Sequence, residues 1–213
     1  MTRSRAWGGT IAGVMVLMTV AVWSWLPERI PTHWNVRGEV DGWSGRWPGA
    51  FLLPAAALAV WLLLPLLRRL DPRRANYERF DDTFWLVLNV VLLFMAVLHA
   101  LTLGAAAGWV GDVTRWVIAM MGAVMVVLGN YLPRVRSNWW LGVRTPWTLE
   151  SERVWRDTHR LAGRTFMAAG VVAVAAALLP ATSRFWVAIG ALMVGAFVPV
   201  VYSYVLWRRE AKG

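Results

Sequence analysis

The sequence predicts an all-α membrane protein, a six-transmembrane-helix bundle with a short turn-rich cap on the outer side and an interfacial helix on the cytoplasmic side. Three observations predict it. First, residues of the AVILMFWYC set make up 58% of the 213 and charged residues only 16%, with a mean hydropathy of +0.49. A soluble domain of this size leaves too many side chains facing water to hide so much apolar surface. Second, six stretches without Asp, Glu, Lys or Arg approach the ~20 residues a spanning helix needs: 6–26, 47–67, 83–111, 116–133, 165–183 and 185–207. Third, the basic residues are sorted. Of 22 Lys and Arg, only Arg29, Arg37, Arg46, Arg115 and Arg184 fall on the side opposite the termini. The positive-inside rule then places both termini in the cytoplasm of a multi-pass inner-membrane protein.

Each run has its own character. The first resembles a signal peptide but lacks a small-x-small cleavage site, so it reads as a retained helix. Pro54 and Pro65 in the second run and Pro199 in the sixth are breaks that neighbouring helices or water can satisfy. The third run is too long for one span, and its Gly- and Ala-rich end, 104–111, reads as a turn. The fourth is short at Asn130-Tyr131-Leu132-Pro133, which reads as interfacial.

The net charge of +10 sits in short segments between apolar runs, where it meets anionic headgroups, so no direct nucleic-acid partner is expected. Absence of cysteine excludes disulfides and thiolate metal sites. No cofactor is implied.

Two polar segments carry the functional candidates. The outer one, 27–46, opens on Pro27 and Pro31 and has turn chemistry at Asn35, Gly38 and Asp41-Gly42. Short extended stretches around such a turn form a hairpin. His33, Asn35, Glu39 and Asp41 then make a recognition surface or a weak metal site, unless the hairpin is only a cap closing the outer face. One His with scattered carboxylates lacks zinc-motif spacing.

The inner segment, 130–160, places Thr148 as a helix N-cap with Glu150 and Glu152 in the first turn, where the helix dipole favours carboxylates. Trp155, Thr158, His159 and Ala162 share one helix face. This predicts an interfacial helix lying on the headgroups that turns into the fifth span near Gly163. Its function is a docking surface for a cytoplasmic partner or a lipid-anchoring re-entry. Within the spans, Asn89 and His99 are the notable polar groups, candidates for function or for bundle-stabilising hydrogen bonds.

Leu26-Pro27, Ile30-Pro31, His33-Trp34-Asn35, Gly38 and Asp41-Gly42-Trp43 together resemble the N-terminal domain of unknown function of SdpI-type bacterial membrane proteins. The stretch Gly129 to Pro133, then Asn138, Gly142-Val143-Arg144-Thr145-Pro146-Trp147-Thr148-Leu149, Trp155 and Thr158-His159-Arg160 resembles the SdpI immunity domain. The resemblance implies two parts, an N-terminal helix pair (1–67) and a four-helix immunity domain (68–213). It implies a non-enzymatic protein that resists a secreted peptide toxin and, in its best-known member, signals by sequestering a cytoplasmic repressor. On that reading His33, Trp34, Asn35, Gly38, Asp41, Gly42 and Trp43 form the outer recognition surface. Asn138, Gly142, Arg144, Thr145, Pro146, Trp147, Trp155, Thr158 and His159 form the inner docking surface. The expected partners are membrane lipids, the toxin and the repressor. A small transporter or permease is the competing class, but the spans contain no acidic residue for proton coupling. No HExxH, GxSxG or paired intramembrane aspartate suggests an enzyme.

Overall fold

A computed structural model describes residues 3–211. Lys212, one of the basic residues assigned to the inner side, lies outside the described residues. The chain runs up and down as α1 (Arg3–Val22), a hairpin of β1 (Arg29–Trp34) and β2 (Val40–Gly45), then α2 (Arg46–Leu70). It continues with a 3-10 stretch (Arg74–Phe80), α3 (Asp81–Ala106), α4 (Val113–Tyr131), a short α5 (Pro146–Glu150), α6 (Glu152–Ala176) and α7 (Ala181–Glu210). Alternation of direction puts the hairpin and the α3–α4 and α6–α7 turns at one end. Residues 71–80 and 132–151 lie at the other, the loop end.

Among the described residues five helices are long and apolar enough to cross a membrane: those of α1, α2, α3, α4 and α7. α6 is the exception, because Glu152, Arg153, Arg156, Asp157, Arg160 and Arg164 charge its first half. Its apolar second half begins at Thr165, where the fifth run of the sequence begins. The helix is continuous through Gly163, so the expected interfacial helix is the polar half of α6 and makes no turn there. The physical reason is packing. A Cβ on Gly163 would lie 2.7 Å from the Gly129 carbonyl of α4, and one on Gly170 would lie 2.5 Å from the Gly122 carbonyl. These two pairs, seven residues apart on each helix, bring the α4 and α6 backbones into direct contact, as small residues do in membrane bundles.

The helices form two groups. α1, α2 and α3 pack together, and α4 and α7 pack on α6; α3 and α4 join the groups. The first group's core is Met15, Ala57, Leu88, Leu92 and the aromatic cluster of Tyr77, Phe80, Phe84 and Trp85. Trp155 of α6 reaches the same cluster from the loop end. α2 runs on through Pro54 and Pro65, and α7 through Pro199.

Capping differs from expectation at one point. Thr145, not Thr148, caps a helix: its hydroxyl accepts from the Thr148 amide while Thr148 Oγ1 accepts from the Thr145 amide, a reciprocal box around Pro146. α5 ends after one turn, and Ser151 caps α6 by accepting from the Val154 amide at 3.2 Å. Pro146 suits the first helical position but the chain must extend at Ser151, which splits the expected helix in two.

Candidate functional site

At the loop end, residues 135–151 form a plug tied to four helices. Asn138 is fully buried and uses both ends of its amide. Its Oδ1 accepts from the Trp140 and Leu141 amides at 2.8 and 2.7 Å, and its Nδ2 donates to the Arg136 and Leu141 carbonyls at 2.8 and 2.9 Å. Beside it Asp71, buried at the end of α2, accepts from the Trp139 amide at 2.9 Å and from the Tyr77 hydroxyl at 2.8 Å. Arg73 donates to Ser137 Oγ and to the Leu149 carbonyl, and Asn76 Nδ2 to the Ser137 carbonyl at 2.8 Å. Asp71, Arg73, Asn76 and Tyr77 are not among the sequence candidates. The Asp71-Pro72 turn after α2 is their only local signal.

His159 closes the plug. Its ring stacks on Trp155 with centroids 4.1 Å apart. The Val143 amide can only donate, so its 3.0 Å contact makes Nε2 the acceptor and leaves the proton on Nδ1, which donates to the Trp155 carbonyl at 2.8 Å. Burial pushes the imidazole down to about 4, against a smaller opposing effect of the Trp155 carbonyl, so the ring is neutral at pH 7. Gly142 stands against it with φ +111°, and a Cβ there would lie 2.3 Å from Nε2. Trp155 Nε1 donates to the Val135 carbonyl at 2.8 Å. Trp147 Nε1 donates to Ser203 Oγ of α7, and Trp207 Nε1 to Glu150 at 2.9 Å.

The nine inner candidates therefore divide by burial. Asn138, Thr145, Trp155, Thr158 and His159 are buried; Gly142 and Trp147 are partly so, and Arg144 and Pro146 are exposed. Arg144 donates to the Trp139 carbonyl at 2.6 Å. Trp139 and Trp140, beside the motif, are exposed as well.

At the other end the hairpin forms as expected, with Arg29 opposite Gly45 and Trp34 opposite Val40, and an irregular register around His33. Asn35 organises its tip: Oδ1 accepts from the Arg37 and Glu39 amides at 2.9 and 3.1 Å, and the Gly38 amide donates to its carbonyl at 2.9 Å. Gly38 needs its freedom, with φ +81°. Hydrogen bonds from Asn35 and Arg37 hold the Glu39 carboxyl below its usual value. Gly42 faces His33 so closely that a Cβ would lie 2.7 Å from His33 Cβ. Ile30, fully buried, seats the hairpin on Leu26, Ala50 and Leu103.

His33, Glu39 and Asp41 are exposed. His33 Nδ1 donates to Asp41 Oδ1 at 2.5 Å with the His33 side chain 72% exposed, and Trp43 is half exposed. Among the described residues no three His, Asp or Glu side chains come together, so the weak metal site has no third ligand. Next to the hairpin, a pair outside the candidate set joins α4 to α7: Arg184, buried, donates to Asp112 Oδ2 at 2.9 Å. Burial raises the Asp112 carboxyl, but hydrogen bonds from Arg184, the Arg115 amide and Thr114 outweigh it and hold the acid below its usual range.

His99 is inside the first helix group. Its Nε2 lies 3.2 Å from the Met15 carbonyl, which can only accept, and 2.9 Å from Thr19 Oγ1; Thr19 in turn donates to the Ala50 carbonyl at 3.2 Å. The cluster stitches α1, α2 and α3 together. Asn89 lies along the groove between α1 and α3 with Trp7 and Ile11.

Comparison with known proteins bears on both ends. Residues 134–203 match the SdpI/YfhL protein family, and residues 10–58 match a domain of unknown function, DUF1648. The chain is 24% identical over 164 residues to the Immunity protein SdpI of Bacillus subtilis (strain 168), covering 73% of this chain and 72% of that one. No solved structure matches it. The plug, α6 and most of α7 fall in the first matched segment and the hairpin in the second, while Asp71, Arg73, Asn76 and Tyr77 lie in neither. This chain is a multi-pass membrane protein whose residues 134–203 are similar to the SdpI/YfhL protein family and whose residues 10–58 are similar to DUF1648.

Proposed function

We propose that this chain is a non-enzymatic immunity protein of the bacterial inner membrane that protects its cell from a secreted peptide toxin. The observation that carries the reading is the 24% identity over 164 residues to the Immunity protein SdpI, beside an SdpI/YfhL match that contains the plug and a DUF1648 match that contains the hairpin. In this reading both termini and the plug face the cytoplasm, and the hairpin faces out. His33, Asp41 and Trp43, with Trp34, Asn35, Gly38 and Gly42 shaping the turn, meet the toxin. On the inner side Arg144, Pro146 and Trp147 meet a cytoplasmic repressor. Asn138, Gly142, Thr145, Trp155, Thr158 and His159 hold that surface in shape. The transporter alternative loses support from His99, whose Nε2 is engaged by Met15 and Thr19 in helix packing.

The test is toxin challenge. Cells lacking the gene are exposed to secreted peptide toxins encoded beside it or in related strains, with and without the gene restored. Protection by the wild-type chain and its loss in a His33→Ala/Trp43→Ala variant at equal membrane level is the expected result. Equal sensitivity with and without the gene across these toxins refutes immunity. Because the chain has no cysteine, single Val36→Cys and Trp140→Cys variants test the orientation. Impermeant maleimide should label the first in intact cells and the second only after lysis; labelling both from one side overturns the two-faced arrangement.

A further inference from the structure

Beneath the hairpin, at the seam between the two helix groups, lies a half-enclosed cavity of ≈ 280 Å³. Leu98 of α3, Val117 and Met121 of α4 and Ile189 and Leu192 of α7 supply its walls. The polar contributions come from the hairpin residues Thr32, His33 and Asn35 and from Thr114 in the first turn of α4. The hairpin roofs the seam: it is seated on the first group through Ile30, and its tip reaches the second, where a Cβ on Gly38 would lie 3.0 Å from Thr114 Oγ1.

Three features define the chemistry such a space takes. Its walls are aliphatic and offer no hydrogen-bond partners, so a polar ligand would leave its groups unsatisfied there. By the measure in which one water needs about 10–15 Å³, the space is many waters in size and takes an extended group. On the α4–α7 side of Thr114 the charge is cationic, while on the hairpin tip Arg37 and Glu39 neutralise each other. Arg184 and Arg115 both pair with the single carboxylate of Asp112, at 2.9 and 3.4 Å, and Thr114 Oγ1 lies 3.4 Å from Arg184. Trp109, Trp116 and Trp186, all exposed, ring the same end of the bundle and set it at the level where headgroups meet acyl chains. An apolar chain with an anionic head satisfies all three.

We infer that this cavity holds one acyl chain of an anionic phospholipid, with the headgroup at the Thr114–Arg184 side beneath the hairpin. The ligand fills the seam between the helix groups and supports the hairpin from below.

The experiment is native mass spectrometry of the full-length protein in detergent, titrated with phosphatidylglycerol and, separately, with palmitate. Val117→Trp and Leu192→Trp fill the cavity from opposite walls, and Val201→Trp, on the exposed outer face of α7, is the control. Saturable one-to-one retention of phosphatidylglycerol is expected in the wild type and in Val201→Trp, weakened at least ten-fold in either filled variant. Retention of palmitate alone keeps the acyl-chain site and assigns its occupant to a free fatty acid. Absence of saturable binding of either probe to the wild type overturns the proposal, whatever the variants do. So does undiminished one-to-one binding in a filled variant that remains folded.

Discussion

Gly142→Ala is the substitution that most directly tests how the plug is held. Two penalties act at once. The backbone φ of +111° lies in a region that residues with a Cβ rarely adopt, which costs about 1–3 kcal/mol. The new methyl would also lie 2.3 Å from His159 Nε2, and the ring cannot retreat because it is stacked on Trp155 at 4.1 Å. Displacing it breaks the 3.0 Å bond from the Val143 amide and leaves a buried acceptor unpaired, about 1–3 kcal/mol more. The sum is roughly 2–6 kcal/mol, and a chain of this length loses about 2–4 °C per kcal/mol. A drop in Tm of roughly 4–24 °C in detergent is therefore expected, with faster labelling of a Trp140→Cys reporter. The contributions separate in a double-mutant cycle: in a His159→Ala background the methyl meets no ring and only the φ penalty remains, so a coupling of about 1–3 kcal/mol should appear. A Tm within 2 °C of wild type, or a cycle without coupling, would falsify the argument that Gly142 exists to admit the His159 ring.

Three further outcomes follow from the same geometry. The neutral His159 ring, with its value depressed from 6.5 to about 4, contributes stability that is present above pH 6.5 and lost as pH falls toward 4. The loss is roughly 3 kcal/mol, so Tm in detergent should fall across that window, and a flat profile would show that the ring is not buried neutral. Gly170→Leu forces a side chain against the Gly122 carbonyl, and overpacking of about 1–3 kcal/mol should lower Tm; an unchanged Tm would mean that α4 and α6 are not in backbone contact. Asp112→Ala strands the buried Arg184 guanidinium. Because Asp112 is itself 42% exposed, the cost is discounted to about 2 kcal/mol, and Arg184→Met in the same chain should recover most of it; failure to recover would mean that the ion pair does not join α4 to α7.

Much of the architecture is legible from residue order. The apolar runs, the hairpin around Asn35 and Gly38 and the shared face of Trp155, Thr158, His159 and Ala162 all follow from short-range rules: run length, turn chemistry and helical spacing. The N-cap at Thr145 was also locally encoded, but Thr148 offers the same hydroxyl three residues later, and spacing does not choose between them. The Asp71–Tyr77–Asn138 cluster is different in kind, since Asn138 lies more than sixty residues from Asp71 and Tyr77 and nothing in the segment around Asp71 and Tyr77 points to it.

By itself the sequence determined that this chain lives in a bilayer, because apolar length and basic-residue sorting are sums over single residues that need no partner. It also determined where the two polar segments stand along the chain. Only the tertiary structure decided which of their side chains face each other and which face outward, that α6 runs straight through Gly163, and that a cavity opens under the hairpin. Those outcomes depend on how closely two backbones approach, and that distance is set jointly by residues such as Gly122 and Gly170, which become neighbours only once the helices have packed.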